Sequence, residues 1–395
     1  MKPDLSVLNE KMIARLQKWS ATIGPRPAGG AGEIRLQQQI SSDLRELGFS
    51  VEEIPFRFAP EPVYLPYYSI AALFLIVLPW FLMQIPWAVV ILPFIPSALP
   101  AVSMALIQKL PRNAKAVNLL ALPPGVDLAQ VELILCAHTD TARAVPAGSD
   151  SWFRFRLQSE GLARRIGWIL LFMVLIHLLL LPLSGMVFYA GATFSTLIGI
   201  LLIVQDLWEQ LGSRNTFAPG MNDDASGVAV LLSLAEYLQK HNSTSKVGFL
   251  FTSAEECGLF GAQAFAGELK RRGASPRILG VDMVGAGDHL RIIHEAGELF
   301  TVRSDREMIV ELDQALPEAV HKRLKARTGD FAAFIRGGFQ SCGVESSGTR
   351  RSWRAYHTLN DDMGVIDPTM LELTLEGLIR WVEPAEPSAE MEGGE

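Results

Sequence analysis

From Pro62 to Gln108, and again from Ile166 to Gln205, the chain carries no Asp, Glu, Lys or Arg. A helix that crosses a hydrocarbon core of about 30 Å needs about 20 apolar residues. Each run is about twice that length, so each predicts a hairpin of two transmembrane helices. Turn signals lie near both midpoints: Gln84-Ile85-Pro86 in the first run and Pro182-Leu183-Ser184-Gly185 in the second. Pro79, Pro93, Pro96 and Pro100 make the first run less regular and leave kinked or re-entrant helices as an alternative there. The blander reading, a buried helix of a soluble core, does not suit uncharged runs this long. His177 sits inside a predicted span. Packing within the helix bundle is its first reading and a functional role its second.

The remaining chain has the character of a water-soluble domain. It is long enough, within 395 residues, for a large α/β domain. The net charge of -7 and the lack of a basic block away from the predicted spans argue against a nucleic-acid partner. Cys136, Cys257 and Cys342 form no C-x-x-C pair and no disulfide framework, and read as free thiols. The first twenty residues are charged throughout, unlike a signal peptide, and read as an amphipathic helix. Apolar spacing predicts helices over 5–20, 32–47, 226–239, 258–271 and 367–382. It predicts strands over 50–58, 116–122, 132–137, 246–252, 277–284 and 290–294. Strands alternating with helices predict an α/β sheet. The acidic, Pro/Gly-rich segment from Glu383 to Glu395 is expected to be disordered.

Five short pieces carry chemistry: Ala137-His138-Thr139-Asp140; Gly220-Met221-Asn222-Asp223-Asp224-Ala225-Ser226-Gly227; Ser253-Ala254-Glu255-Glu256-Cys257-Gly258-Leu259; Gly280-Val281-Asp282-Met283-Val284-Gly285; and Tyr356-His357-Thr358. Most of them place a metal-competent side chain at the end of a predicted strand or just after it, where open α/β sheets bind ligands. His138 and Asp140, two apart, suit an imidazole ligand whose other nitrogen is fixed by a carboxylate. Glu255 and Glu256 follow an apolar strand and point in different directions. One suits a metal while the other suits a general base. Asp223 precedes a helix and reads equally as an N-cap. Asp282 is predicted inside an apolar strand, where an unpaired carboxylate would cost several kcal/mol. Taken alone, His357 reads as an ordinary surface histidine.

In combination and in this order, the pieces resemble the co-catalytic zinc aminopeptidases of metallopeptidase family 28, which also holds glutamate carboxypeptidases and glutaminyl cyclases. The opening Gly24-Pro25-Arg26-Pro27-Ala28-Gly29 is similar to that family too. The resemblance covers roughly 15–58, 114–142 and 215–380. It implies two zinc ions per chain, one held by His138 and Asp282, the other by Glu256 and His357, with Asp223 bridging them. It implies Glu255 as general base, Asp140 as the group orienting His138, Tyr356 as a stabiliser of the tetrahedral intermediate, and a peptide Asp223–Asp224 that is often cis. The implied fold is a three-layer α/β/α zinc-peptidase domain with a mixed, mostly parallel sheet, here interrupted by two transmembrane helical hairpins. The expected organisation is 1–60, 110–150 and 211–383 as parts of the peptidase domain, 61–109 as the first hairpin, 151–210 as a basic lead-in and the second hairpin, and 384–395 as the acidic tail.

The second insertion lies between His138 and Asp223, which must meet at one metal pair. It must therefore cross a membrane an even number of times or not at all. Arg57, Lys109, Arg112, Lys115, Arg154, Arg156, Arg164 and Arg165 flank the runs, while the hairpin turns carry no charge. The positive-inside rule then predicts a multi-pass protein with its catalytic domain on the cytoplasmic face. The expected activity is removal of N-terminal residues from peptides, with the lipid bilayer as the second partner. The alternatives are a carboxypeptidase using Arg327, Arg350, Arg351 or Arg354, another amide hydrolase or cyclase, and a catalytically silent membrane scaffold or receptor.

Overall fold

The structure is a computed structural model. It describes residues 5–60, 109–144, 216–241, 246–297, 301–324, 328–348 and 355–383, with isolated positions 193, 196, 197, 200 and 204. Both uncharged runs, His177, the four arginines named for a carboxypeptidase pocket, and the tail beyond Glu383 fall outside the described residues, apart from those isolated positions. Among the described residues no helix is long and apolar enough to cross a membrane.

The elements in chain order are α1 (Leu5–Thr22), α2 (Ala31–Glu46), β1 (Ser50–Phe58), β2 (Ala114–Leu122), β3 (Leu133–His138), α3 (Ser226–Lys240), β4 (Val247–Thr252), α4 (Phe260–Arg272), β5 (Arg277–Val281), β6 (His289–Ala296), β7 (Val302–Arg303), α5 (Arg306–Ala315), β8 (Val320–Leu324), α6 (Asp330–Arg336), β9 (Ser341–Ser347) and α7 (Pro368–Val382). The sheet runs β1-β2-β4-β3-β5-β9-β6-β7, with β8 also on β6. Its centre, β4-β3-β5-β9, is parallel. The pairings β1–β2, β2–β4, β6–β9 and β6–β7 are antiparallel. The sheet is therefore mixed and not mostly parallel, because the parallel block is flanked on both sides by antiparallel partners.

Period-two alternation along the central strands splits the core into two layers. Leu119, Leu135, Phe249 and Leu279 face the layer that holds α1, α2, α3, α5 and α7. Leu120, Ile134, Leu250 and Ile278 face α4 and α6 through Phe265, Leu269 and Phe334. Helix α3 is apolar on nearly every side, and Val228 to Leu238 are buried throughout, as befits a helix enclosed between the sheet and α1 and α7. Leu8, Met12, Leu16 and Trp19 form the buried stripe of α1.

One predicted strand shortens and one strand goes unpredicted. Strand β5 ends at Val281, so Asp282 stands just beyond the strand, and its side chain is 33% exposed. Strand β9 escapes the apolar pattern because it reads Ser-Cys-Gly-Val-Glu-Ser-Ser, yet every residue of it is buried. Several of its polar groups are paired individually: Ser341 Oγ donates to the Ile278 carbonyl at 2.7 Å, and Glu345 pairs with the opposite Arg291 at 3.3 Å.

Candidate metal centre

The three parallel strands β3, β4 and β5 deliver their loops to one edge. Registered pairing of His138 with Thr252, and of Cys136 with Gly280, brings the strand ends level. His138 is the last residue of β3, Glu255 and Glu256 follow β4, and Asp282 follows β5. Asp223 enters from the turn before α3, and His357 from the loop after β9.

These side chains converge. His138 Nε2 lies 3.1 Å from Asp223 Oδ1 and 3.7 Å from Asp282 Oδ1. His357 Nε2 lies 3.4 Å from Asp223 Oδ2 and 3.2 Å from Glu256 Oε2. The two oxygens of Asp223 thus face two separate pairs. Three overlapping groups could each hold a cation, with ligand atoms within 4.8 Å of one another: His138, Asp223 and Asp282; Asp223, Glu256 and His357; and His138, Glu255 and Glu256. Glu256 Oε1 and Asp282 Oδ1 are buried without a hydrogen-bond partner. An orphaned buried carboxylate oxygen is costly unless a cation meets it. The donor set is imidazole and carboxylate, which suits zinc. The residues therefore fit the metal pair that the motifs imply.

Electrostatics point the same way. Burial opposes a charge on His138, but Asp140, Asp223 and Asp282 outweigh it and raise the imidazole well above its ordinary value. Burial likewise raises the Asp223 carboxyl, but His138 and His357 overcome this and hold it low. Glu255 is pushed well up, first by burial and then, against His138, by the carboxylates of Glu256, Asp330 and Asp282. Glu256 rises through burial, opposed by His357. A cluster in which the His138 imidazole holds its proton and Glu255 and Glu256 resist ionisation is one that calls for added positive charge.

The backbone around the cluster is unusual as well. The Asp223–Asp224 peptide is cis. Ala254, Met283 and His357, each at a ligand-bearing turn, adopt positive φ of 55°, 54° and 54°. A left-handed conformation of this kind costs about 1–3 kcal/mol for a residue other than glycine, and such residues gather at functional sites. Gly220 has φ of 67°, and a Cβ there would lie 2.1 Å from Thr141 Cγ2 and 2.6 Å from the Asp223 carbonyl, so only glycine fits.

Asp140 differs from expectation in how it meets His138. The His138 Nδ1–H donates to the Asp140 backbone carbonyl at 3.1 Å, while the nearest carboxylate oxygen is 3.6 Å away. That carboxylate accepts the backbone N–H groups of Glu255 at 3.1 Å and Glu256 at 3.2 Å. Asp223 is not an N-cap, that place being taken by Ala225; the Asp224 carboxylate accepts from Gly227 N at 2.9 Å and also receives His138 N and Met283 N. Tyr356 stacks on His357 with ring centroids 3.8 Å apart.

Sequence reasoning passed over Asp361, Glu33 and the role of Arg26 within its motif. Asp361 is buried and accepts from Asn222 N at 2.8 Å and Asp223 N at 3.1 Å. Burial and the neighbouring Asp223 push it up to about 7. Its only signal was an acidic residue four positions beyond His357 in a polar loop.

Residues 207–382 match the profile of Peptidase family M28. Aminopeptidase Y of Saccharomyces cerevisiae is 27% identical over 157 residues, covering 37% of this chain and 29% of that protein. Leucine aminopeptidase 1 of Coccidioides posadasii is 27% identical over 169 residues, covering 38% of this chain and 42% of that one. The chain thus spans less than half the length of these curated relatives. Among solved structures, a leucine aminopeptidase precursor from Bacteroides thetaiotaomicron superposes with a TM-score of 0.56 at 14% identity, covering 96% of this chain and 97% of the other. Glutaminyl cyclase from Porphyromonas gingivalis does so with 0.55 at 15% identity, covering 95% and 97%. At such identity these two speak for the fold alone. The family match over 207–382 takes in Asp223, Glu255, Glu256, Asp282 and His357, and over that stretch the chain is similar to the M28 peptidases.

Proposed function

We propose that the protein is a two-zinc aminopeptidase, with His138 and Asp282 on one ion, Glu256 and His357 on the other, and Asp223 bridging. The observation that carries this reading is the Asp223 carboxylate, whose Oδ1 faces His138 while its Oδ2 faces His357. When bound, zinc supplies Lewis acidity and makes an attacking water acidic enough to lose a proton near neutral pH. Glu255 takes that proton and returns it to the leaving amine. Its neighbours suit this work, because crowding by burial and other carboxylates favours the protonated form it must pass through. Asp140 holds the turn that aims Glu255, and the Asp140 carbonyl fixes the His138 tautomer so that Nε2 faces the metal. The phenol of Tyr356, held against His357, steadies the developing oxyanion. All five ligand positions carry competent side chains, which favours two-metal hydrolysis over a single-metal cyclase. Metal analysis of the purified protein with an aminoacyl-anilide panel tests this. Two zinc equivalents with hydrolysis of free-amine substrates support it; no zinc, or hydrolysis only of amine-blocked substrates, rejects it.

The same reading places the chain in a membrane through hairpins at 61–109 and 151–210, with its catalytic domain on the cytoplasmic face. The uncharged runs support it. So do Leu197, Ile200 and Val204, helical residues spaced along one face and 59%, 49% and 56% exposed. Release of the protein from membranes by alkaline carbonate would reject the spans.

A further inference from the structure

Arg26 is fully buried, and among the described residues it makes no ion pair. Its guanidinium is instead spent on backbone carbonyls. Nε donates to Thr139 O at 2.9 Å, Nη1 to Pro219 O at 2.9 Å, and Nη2 to Gly220 O at 2.7 Å. Its own backbone is locked to Thr141, with Arg26 N on Thr141 Oγ1 at 2.9 Å and Thr141 N on Arg26 O at 2.9 Å. Burial works against this charge and outweighs the opposing pull of Asp361, Asp224, Asp140 and Glu33. An apolar side chain would fill the space without that desolvation cost. The position keeps a planar fork of donors, and these three of the four carbonyls it reaches show why.

Those carbonyls lie on both sides of the second insertion. Thr139 is the residue between His138 and Asp140; Gly220 opens the turn that delivers Asp223. His138 and Asp223 are 85 positions apart, yet their side chains meet at 3.1 Å. The chain leaves and returns through a paired neck: Arg143 bridges Phe217, Ala218 N donates to Ala142 O at 2.9 Å, and Ala144 N to Thr216 O at 2.9 Å. Arg26 closes the base of that neck from a third segment of chain. Resting on the two-zinc reading, we propose that Arg26 is a positioning residue. Its fork fixes the spacing of His138 and Asp223, and so sets how tightly the metal position they share is held.

The test is zinc titration of the full-length protein by competition with a chromogenic chelator, alongside kcat and KM on an aminoacyl-anilide. Arg26→Lys keeps the charge but cannot span three carbonyls with one nitrogen. One of the two zinc equivalents is expected to weaken about tenfold or more, the range seen when groups supporting metal ligands are removed. The other equivalent should change much less, and kcat should fall while KM stays within about twofold. A purely structural role would lower the fraction of folded protein and leave zinc affinity per folded molecule unchanged; that result overturns the proposal. If Arg26→Lys does not fold, Thr141→Val decides. It removes the hydroxyl that accepts Arg26 N–H and should weaken the same equivalent by a smaller factor, and unchanged zinc affinity there overturns the proposal. A wild-type chain that binds no zinc overturns the two-zinc reading itself, an outcome separate from both.

Discussion

The carboxylate of Asp140 receives the backbone N–H of Glu255 at 3.1 Å, and its other oxygen receives that of Glu256 at 3.2 Å. Two acceptors on one side chain therefore set the turn that aims both glutamates. In Asp140→Asn one of the two acceptors becomes an NH2 group facing an N–H, and the turn must tilt. Activity is expected to fall about 10- to 100-fold, with weaker zinc binding, as for other groups that support metal ligands. Asp140→Asn with wild-type zinc affinity and kcat would show that the turn holds without this clamp.

Glu255 belongs to a ligand group with His138 and Glu256, but the residues around Asp223 can form both metal positions without it. Glu255→Gln should therefore keep its zinc and lose turnover. The expected fall in kcat is about 100- to 10,000-fold, the range for a lost general acid–base group. Loss of zinc along with activity would make Glu255 a ligand and move the base elsewhere.

Part of this site is legible because His138, Glu256 and Asp282 lie at or just past the ends of apolar strands, and hydrophobic patterning locates strand ends well. The strand predicted over 50–58 matches β1, and Asp223 and His357 were found only through the motif order, not through local pattern. Reading failed where burial is sustained by pairing. Strand β9 is polar in composition, and its partners Ile278 and Arg291 lie far away in sequence. Met283 and Val284 extend the apolar run past Asp282, but the strand ends at Val281 and Met283 takes a positive φ. Glu33 and Asp361 work through backbone N–H groups and hydroxyls, which leave no trace in residue type.

Zinc removal should loosen the whole domain, since His138, Asp223, Glu256, Asp282 and His357 come from five separate stretches of chain. A ligand bound only by the folded state at 100 times its dissociation constant stabilises by about 2.7 kcal/mol. The unfolding temperature should therefore rise with free zinc and fall after chelation. His357→Ala should shrink the rise. A zinc-independent unfolding temperature would argue against a metal at this site.

Gly261 is a packing site for the Glu255 turn. A Cβ there would stand 2.2 Å from the Ser253 carbonyl and 2.7 Å from Asn118 Oδ1, and Asn118 Oδ1 in turn accepts Ser253 N at 3.1 Å. Neither neighbour is a flexible side-chain end. Gly261→Ala should cost about 1–3 kcal/mol in chemical denaturation, with reduced kcat because Ser253 leads into Glu255. Gly267→Ala, with no atom within 4 Å of the added Cβ, is the control and should be neutral or stabilising.

Glu33 gives a pH dependence whose sign is fixed by hydrogen-bond counting. Thr139 Oγ1 has one hydrogen and two acceptors in reach, Glu33 Oε1 at 2.6 Å and Thr252 O at 2.9 Å. A protonated Glu33 resolves the conflict by donating to Thr139, which then donates to Thr252. Burial and the nearby Asp140 accordingly push Glu33 up to about 8 from 4.5. The folded state holds a proton that the unfolded chain has released. This stabilising contribution is complete below the unfolded value and is lost as pH rises toward about 8. The slope is at most about 1.4 kcal/mol per pH unit for one proton. The substitution Glu33→Gln mimics the neutral carboxyl: the new amide nitrogen can donate to Thr139 while the amide oxygen accepts the Gly29 N–H that Glu33 Oε2 accepts at 2.6 Å. Glu33→Gln should match wild type near pH 5 and become increasingly more stable than wild type up to about pH 8, as read by urea unfolding at each pH. A stability difference that stays flat across that window would mean Glu33 is ionised in the folded protein, and the Thr139 hydroxyl points the other way.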